Sequence, residues 1–294
     1  MKSFKLTRRE FLRLAILTAF GALASNVLGC DLIPAKPSNV LRVALLHLAP
    51  QPGDLAHNRQ TIETAVARAA ALGADWIITP ELAVSGYEFS DRIGTNWITD
   101  QPDMWTRQMM NQAKRLHATI FLGTPERDAA TNLLYNSVLV LGNDGTLLGR
   151  HRKVGIVPIH AEAWSSAGMA IAPMLVDGLQ VGVLICADSY KPDVARQLKQ
   201  HGAQILVSAV AWAPGECGPE GGWEDRSRET GLTLVVCNRT GDEPTMSLNQ
   251  ADSVIARDGQ RVLQFHSAQP SILIADLNRQ TFLPVSKQFS VTAL

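Results

Sequence analysis

The sequence predicts a single domain of the α/β class. Apolar runs of four to seven residues, typical of buried strands, alternate with segments whose apolar residues recur at the helical period. Hydrophobic residues occupy 46% of the 294 positions, which is enough for one sizeable core. No repeat, low-complexity stretch or linker divides the chain from residue 41 onward. We therefore expect one domain in which helices pack on mixed sheets.

The first half of this domain opens with a strand and a helix. Residues 42–47 form an apolar run, and residues 56–72 carry an apolar stripe at helical spacing that Gly73 can terminate. An Asn-Asp-Gly sequence at 143–145 is a strong turn signal between two later strands. The other elements predicted in this half are strands at 76–79, 119–122, 137–141 and 147–150 and a helix at 106–116.

The second half repeats the alternation of strand and helix. The apolar run 181–185 precedes a helix that Pro192 can begin and Gly202 can end. The segment 213–222, with four glycines and two prolines, reads as a loop that borders a pocket. The remaining predictions are strands at 205–210 and 232–237 and a final hairpin that turns at Asp258-Gly259.

The charge balance of the whole chain conceals an unusual N-terminus. The chain has 27 basic and 27 acidic side chains, but residues 1–29 hold five of the basic and one of the acidic groups. The remainder, with 22 basic and 26 acidic groups, has a net charge of −4. A mildly acidic surface argues against nucleic acid as a partner. Four cysteines in so long a chain exclude a disulfide scaffold.

Residues 1–29 have the composition of an export signal. A basic region precedes an apolar run at 14–28 that is too short to span a bilayer comfortably. Thr-Arg-Arg-Glu-Phe-Leu at 7–12 resembles a twin-arginine signal. The structural alternative is a basic amphipathic helix at the start of the domain.

The signal ends in Val-Leu-Gly-Cys at 27–30, which resembles a bacterial lipobox. Cleavage before Cys30 and lipidation of that residue would anchor the protein to a membrane without spanning it. The segment 30–40 would then be the lipidated cysteine and its tether, and 41–294 the folded domain. The expected location is the periplasmic face of the inner membrane or the cell surface. The alternative for Cys30 is an incidental buried cysteine.

Three positions at predicted strand ends are candidates for chemistry, and each has a plain structural alternative. Cys186 follows the run 181–185 at a turn into a helix, where a thiol is expected to be exposed and helix N-termini favour its thiolate. A buried structural cysteine is the commoner interpretation. Glu81 could be a general base or a solvated loop residue. Lys153 could stabilise an oxyanion or belong with Arg152 to a solvated basic face.

The order and spacing of these positions resemble the nitrilase, or carbon–nitrogen hydrolase, superfamily. Residues 73–82, ending in Thr-Pro-Glu-Leu, are similar to the strand that carries the family's catalytic glutamate. Arg-Lys at 152–153 resembles the lysine motif, and Glu162 stands where the family has a supporting glutamate. Residues 182–188 resemble the nucleophile elbow, and Val-Cys-Asn-Arg-Thr-Gly at 236–241 a later motif.

The resemblance implies a four-layer α–β–β–α sandwich, and a homodimer in which the outer helices of two subunits pack together. It also implies a mechanism. Cys186 would attack the carbon of an amide or N-carbamoyl group and form a thioester, with Glu81 as the acid and base. Lys153 and the backbone N–H of Ala187 would stabilise the oxyanion, while Glu162 supports Lys153 or the substrate. A small-molecule amide is the expected partner, and no metal or organic cofactor is expected.

The elbow departs from the common pattern in ways that bear on the substrate. Nitrilases proper resemble Cys-Trp-Glu at this point, so Cys-Ala-Asp at 186–188 favours an amide over a nitrile. Lys191 could attract a substrate carboxylate, and Trp212 is a further candidate substrate-binding residue. Cys217 and Cys237 lack a matching motif and are expected to be structural.

Two other functions stay open at this point. The same triad could transfer an acyl group to an amine, as in the lipoprotein N-acyltransferases, although the several membrane helices of those enzymes are not visible in this sequence. Alternatively, a binding lipoprotein could keep the fold without the reaction. Product analysis with an amine acceptor distinguishes the first alternative, and detection of a covalent cysteine adduct distinguishes the second.

Overall fold

The computed structural model describes residues 37, 39–156, 160–214 and 221–294. The predicted signal at 1–29, the lipidation site Cys30 and Cys217 lie outside the described residues. Within the described ranges, no helix is both long and apolar enough to cross a membrane.

The first of two mixed sheets has seven strands from both ends of the domain. Their bounds are β1 Val40–His47, β2 Trp76–Ile78, β3 Thr119–Arg127, β4 Leu134–Leu141, β5 Leu147–Arg152, β12 Ser271–Asn278 and β13 Ser290–Ala293. The strand order is β13-β12-β1-β2-β3-β4-β5, and β1, β2 and β3 run parallel. β1 begins at Val40, one residue before the domain boundary predicted at 41.

The second sheet has six strands from the later part of the chain. Their bounds are β6 Met174–Val176, β7 Leu179–Ile185, β8 Ile205–Ala209, β9 Leu234–Cys237, β10 Ser253–Arg257 and β11 Gln260–Phe265. The order is β11-β10-β9-β8-β7-β6, with β7, β8 and β9 parallel. The hairpin between β10 and β11 turns at Asp258 and Gly259, both in the left-handed region, as the sequence predicts.

The helices connect the parallel strands, and α1 and α3 begin with side-chain caps. Their bounds are α1 Leu55–Ala71, α2 Ser90–Ile93, α3 Met104–Leu116, α4 Pro192–Gln200 and α5 Gly222–Thr230. The Asp54 carboxylate accepts from the backbone N–H of His57 at the start of α1, and Asp103 caps α3 in the same way. Pro192 occupies the first turn of α4, where its missing N–H costs no hydrogen bond.

The alternation of side chains along β1 explains the four layers. Leu41, Val43 and Leu45 are buried in the apolar cluster that both sheets share. Ala44 and Leu46 point the other way, into a separate cluster with α1 and α3. α4 and α5 cover the outer face of the second sheet. The predicted α–β–β–α sandwich in a single domain is therefore confirmed.

Several elements were not predicted from the sequence, and for α5, β13 and β12 the physical reason is clear. α5 lies partly within the segment predicted as a loop, and its buried face consists of Trp223 and the polar residues Arg226, Ser227 and Thr230, so no apolar stripe marks it. β13 is short and mostly exposed, which leaves no alternation to detect. β12 follows the hairpin that the sequence places last, yet it completes the first sheet by pairing with β1 along its whole length.

Candidate active site

Polar residues from both sheets meet where three strands end. Glu81 follows β2 and Lys153 follows β5, both in the first sheet, while Cys186 follows β7 in the second sheet. The side chains of Glu81 and Lys153 are fully buried, and Cys186 is 6% exposed. Charged groups are rarely buried in this way unless they are paired, so the contacts among them decide what the cluster can do.

The Lys153 ammonium lies between two carboxylates. Its Nζ is 2.8 Å from Oε1 of Glu81 and also forms an ion pair with Oε1 of Glu162, which is fully buried in a short 3-10 turn. Burial alone would lower the pKa of Lys153, but the negative charges of Glu81, Cys186 and Glu162 raise it well above the usual value. Lys153 is therefore a permanent cation in the site.

The Glu81 carboxylate is held by donors from both sheets. Oε1 accepts from the side-chain amide of Asn136 at 2.7 Å as well as from Lys153. Oε2 accepts from the backbone N–H of Ala211, just after β8, at 2.9 Å. Burial raises the pKa of Glu81 to about 7, against the opposing effect of the Lys153 charge. A carboxyl with this pKa can both take up and release a proton at neutral pH.

Cys186 sits on a sharp turn between β7 and a 3-10 turn that spans Cys186–Tyr190. Ile185 has extended backbone angles, whereas Cys186 has a φ of +45°, in the left-handed region that a non-glycine residue adopts at a cost. The thiol forms a hydrogen bond with the Glu81 carboxylate.

The state of the thiol differs from the sequence-based expectation. Burial, reinforced by the charge of Glu81, raises the pKa of Cys186 well above its ordinary value. An exposed thiolate was expected because the turn leads toward a helix N-terminus, but removal from water outweighs that effect. In the resting protein the Cys186 side chain is a buried thiol beside the Glu81 carboxylate.

Asp188 connects two segments of the site by hydrogen bonds. One is the 3-10 turn 186–190, here called the cysteine turn, and the other is residues 153–155, here called the lysine loop. Its carboxylate accepts from the backbone N–H groups of Ile185, Val154 and Gly155 at 2.9, 2.9 and 2.6 Å. It also pairs with Nε2 of the buried His151 at 2.8 Å. Burial would raise the pKa of Asp188, but the hydrogen bonds, first that of His151, lower it. The Cys-x-Asp spacing was the sequence signal for this contact.

The remaining candidates fall into different surroundings. Ala187 is buried in the 3-10 turn, immediately after Cys186. Trp212 is buried one residue after Ala211, with its ring against Tyr190 and Trp223. The Lys191 side chain is instead exposed, next to the first residue of α4.

A second buried ion pair, which the sequence analysis missed, supports the loop after Glu81. Arg239 and Glu243 pair within the segment that follows β9. The Glu243 carboxylate accepts from the backbone N–H groups of Tyr87 and Glu88 at 2.9 and 3.1 Å. The Asn-Arg-Thr-Gly sequence at 238–241 was the available signal, but it gave no partner.

Among the residues that the structure describes, no group of three or more histidine, cysteine, aspartate or glutamate side chains is arranged to hold a metal ion. The cluster around Lys153 offers a thiol, a carboxylate with a raised pKa and an ammonium. Together these groups can add sulfur to an electrophilic carbon and move the proton that this addition releases.

The chain is similar to known carbon–nitrogen hydrolases along most of its length. The carbon-nitrogen hydrolase family model matches residues 42–285. A probable nitrilase of Schizosaccharomyces pombe is 26% identical over 256 residues, 84% of this chain and 92% of that protein. An omega-amidase of Danio rerio is 26% identical over 271 residues, 86% and 92% of the two chains. A mutant of the amidase from Nesterenkonia sp. AN1, with acrylamide added to its active-site cysteine, superimposes with a TM-score of 0.72 at 25% identity, covering 82% of this chain and 95% of that one.

Proposed function

The chain belongs to the carbon–nitrogen hydrolase family and is a carbon–nitrogen hydrolase, and from this premise we propose which bond it cleaves and with which residues. The proposed reaction is hydrolysis of a non-peptide carbon–nitrogen bond in a small amide or N-carbamoyl compound. Glu81, Lys153 and Cys186 form the proposed catalytic triad. The observation that carries the proposal is the buried cluster in which a thiol, a base and an ammonium lie within hydrogen-bonding reach.

In the first half of the reaction, Sγ of Cys186 attacks the carbonyl carbon and its proton passes to Glu81. The negative charge that develops on the carbonyl oxygen is stabilised by the Lys153 ammonium and the backbone N–H of Ala187. When the tetrahedral intermediate collapses, the carbon–nitrogen bond breaks and Glu81 gives its proton to the departing amine. The acyl group is then a thioester on Cys186.

In the second half, water attacks the thioester carbon while Glu81 takes one of its protons. Collapse of this second intermediate breaks the carbon–sulfur bond, releases the carboxylic acid and returns the proton to Cys186. A pKa of about 7 suits Glu81 to both directions of transfer. Glu162, on the other side of Lys153, keeps the ammonium in place.

The proposed choice of substrate depends on the nucleophile elbow at residues 182–188 and on the residues near it. The small Ala187 leaves room beside the nucleophile, and Cys-Ala-Asp favours an amide over a nitrile. Trp212, next to the Ala211 N–H that binds Glu81, is proposed to border the acyl group. Lys191 is proposed to attract a substrate carboxylate from its exposed position. If Lys191→Ala changes kcat/KM equally for carboxylated and neutral amides, that role for Lys191 is wrong.

Intact-mass analysis with a panel of amides and N-carbamoyl compounds tests the triad directly. We expect each accepted substrate to add its acyl mass to the wild-type protein, to release amine, and to do neither in Cys186→Ala. Hydroxylamine in the assay separates transfer from hydrolysis, since a transferase would yield mainly hydroxamate and little acid. If no compound in the panel forms an adduct or releases amine, the hydrolase proposal fails in favour of a binding lipoprotein.

The location and assembly of the enzyme are proposed from the sequence. We infer export by a twin-arginine signal at 1–29, lipidation at Cys30, and a homodimer. The acidic net charge of the chain after residue 29 and the basic, then apolar, composition before it support the first two inferences.

A further inference from the structure

Asn136 forms hydrogen bonds with Glu81, Glu162 and Lys153, and the proposed mechanism gives it no role. It lies in β4, buried in the first sheet, with 1% of its surface exposed. Its side-chain amide donates to Oε1 of Glu81 at 2.7 Å and to Oε1 of Glu162 at 3.3 Å. One amide group therefore binds both carboxylates that flank the Lys153 ammonium.

The backbone of Asn136 forms a hydrogen bond with the backbone of Lys153. Its carbonyl oxygen accepts from the backbone N–H of Lys153 at 2.8 Å, immediately beyond the end of β5. The neighbouring strand pair continues this register, with Ser137 opposite Arg152. Asn136 thus holds the Lys153 backbone at the end of β5 and also binds the two carboxylate oxygens that contact the Lys153 ammonium.

The hydrogen bonds of Asn136 indicate that its side-chain N–H group, and not its Oδ1 atom, stabilises the site. Within the described part of the chain, Oδ1 of Asn136 is buried and has no hydrogen-bond partner. A buried acceptor without a partner costs free energy, so a side chain that leaves one unpaired must be stabilised by its other contacts. Here those contacts are two charge-assisted hydrogen bonds to carboxylates.

We propose that Asn136 is a positioning residue that holds Glu81 and Glu162 on the Lys153 ammonium and keeps Glu81 in the basic form that accepts the thiol proton. This inference rests on the proposed function, because it assumes that Glu81 is the base for Cys186. An amide N–H favours an ionised carboxylate over a protonated one. Its removal should therefore make Glu81 hold a proton up to higher pH.

The experiment compares kcat/KM as a function of pH in the wild type, Asn136→Leu and Ser137→Ala, using an amide that acylates the wild-type protein. Asn136→Leu removes the donor at similar volume. Ser137→Ala is the matched control, since Ser137 is the next residue of β4, is fully buried, and has a hydroxyl with no hydrogen-bond partner among the residues that the structure describes. Thermal melting of each variant separates loss of structure from loss of function.

For Asn136→Leu we expect the acidic limb of the pH profile to move up by about one pH unit, and kcat/KM at pH 6 to fall at least about tenfold. Ser137→Ala should keep the wild-type limb. A fall that is the same at every pH, with the limb unmoved, would overturn the positioning role. If Asn136→Leu does not fold, Asn136→Ser is measured in its place with the same two outcomes.

If the proposed amide hydrolysis through Cys186 is wrong, the experiment gives a different result. In that case the wild-type protein releases no amine and forms no adduct that depends on Cys186, before any Asn136 variant is compared. A wild type that is active and depends on Cys186, together with an unmoved limb in the Asn136 variant, removes the present inference and leaves the proposed function intact.

Discussion

Burial changes the pKa values of Glu81 and Cys186, the proposed base and the proposed nucleophile, in the same direction. Removal from water raises the pKa of both Glu81 and Cys186, because each loses solvation of its anionic form. The proton consequently stays on sulfur in the resting protein, beside the carboxylate that is proposed to receive it. In the proposed reaction, attack and proton transfer are then coupled events, and the resting thiol is not a free thiolate open to oxidation.

Replacement of Glu81 tests this account at the level of one residue. Glu81→Gln should lower kcat/KM by roughly 10²- to 10⁴-fold, since the amide cannot accept the proton. In the wild type, kcat/KM should rise as pH increases through about 7, because Glu81 becomes ionised there. The variant should lack this limb, as measured by initial rates from pH 5 to 9.

Glu63→Gln is the control for this substitution. Glu63 lies in α1 and accepts a hydrogen bond from Trp105, which a glutamine oxygen can also do. It should keep both the rate and the limb. A Glu81→Gln protein with an unchanged acidic limb would mean that another group takes the proton.

At the scale of elements, the lysine loop and the cysteine turn are packed backbone against backbone. A Cβ added at Gly155 would lie 2.6 Å from the carbonyl oxygen of Ala187 and 2.9 Å from the backbone nitrogen of Asp188. Contacts this short cannot be relieved by a side-chain rotation. The glycine is therefore what lets Asp188 bind the loop after Lys153 so closely.

Gly155→Ala should separate these two elements and act on activity more than on stability. A displacement of about 1 Å at the reacting groups can cost on the order of 100-fold in rate, whereas local overpacking typically costs about 1–3 kcal/mol. Activity and thermal melting are measured on the same samples. Gly222→Ala, where the nearest atom is 3.7 Å away, is the control. If Gly155→Ala keeps full kcat, the close approach is not needed for catalysis.

At the scale of the molecule, the two sheets are joined by a buried histidine as well as by apolar packing. His47 of β1 forms hydrogen bonds with the backbone oxygen of Asn238 and the hydroxyl of Ser253, both on the second sheet's side, at 3.1 Å each. Burial lowers the pKa of His47 to about 4. The folded protein therefore contains a neutral imidazole down to a pH at which the unfolded chain is already protonated.

His47→Gln should consequently reduce the acid sensitivity of the fold. Between pH 6.5 and 4 the unfolded state binds more protons at this position than the native state, so wild-type stability falls as pH falls through that window. The contribution of this group is about 3 kcal/mol at its limit. Urea unfolding at pH 7, 5.5 and 4.5 should show a shallower decline in the variant. His57→Gln, the same change at an exposed position of α1, should match the wild type, and a His47→Gln decline as steep as the wild type's would contradict the assignment.

The proposed anchor also belongs to the scale of the whole molecule. When the full chain is expressed in a bacterial host, it should fractionate with membranes and label with a radioactive fatty acid. Cys30→Ser should abolish both, since no other residue of the lipobox carries a thiol. Cys217→Ser makes the same change outside the motif and should leave fractionation unaltered. A Cys30→Ser protein that stays with the membranes would rule out lipidation at this position.

The parts of the site that could be predicted are those with a local signature. Glu81, Lys153 and Cys186 each end an apolar run within a short motif, so their strands and their order were visible in the sequence. Asn136 was not, because its role depends on β4 lying beside β5 and on a contact with Glu81 across 55 residues. The protonation state of Cys186 was also missed, since local sequence does not reveal how completely the second sheet and its loops exclude water.

The proposed site is divided between two sheets, one bearing Glu81 and Lys153 and the other Cys186, and this division makes its reactivity a property of the finished fold. A chain with only its second sheet formed has Cys186 but neither Glu81 nor Lys153, and its thiol is an ordinary cysteine. A chain with only the first sheet has no nucleophile. The proposed triad is therefore complete only when the two sheets have packed on each other, and its turnover would report that packing.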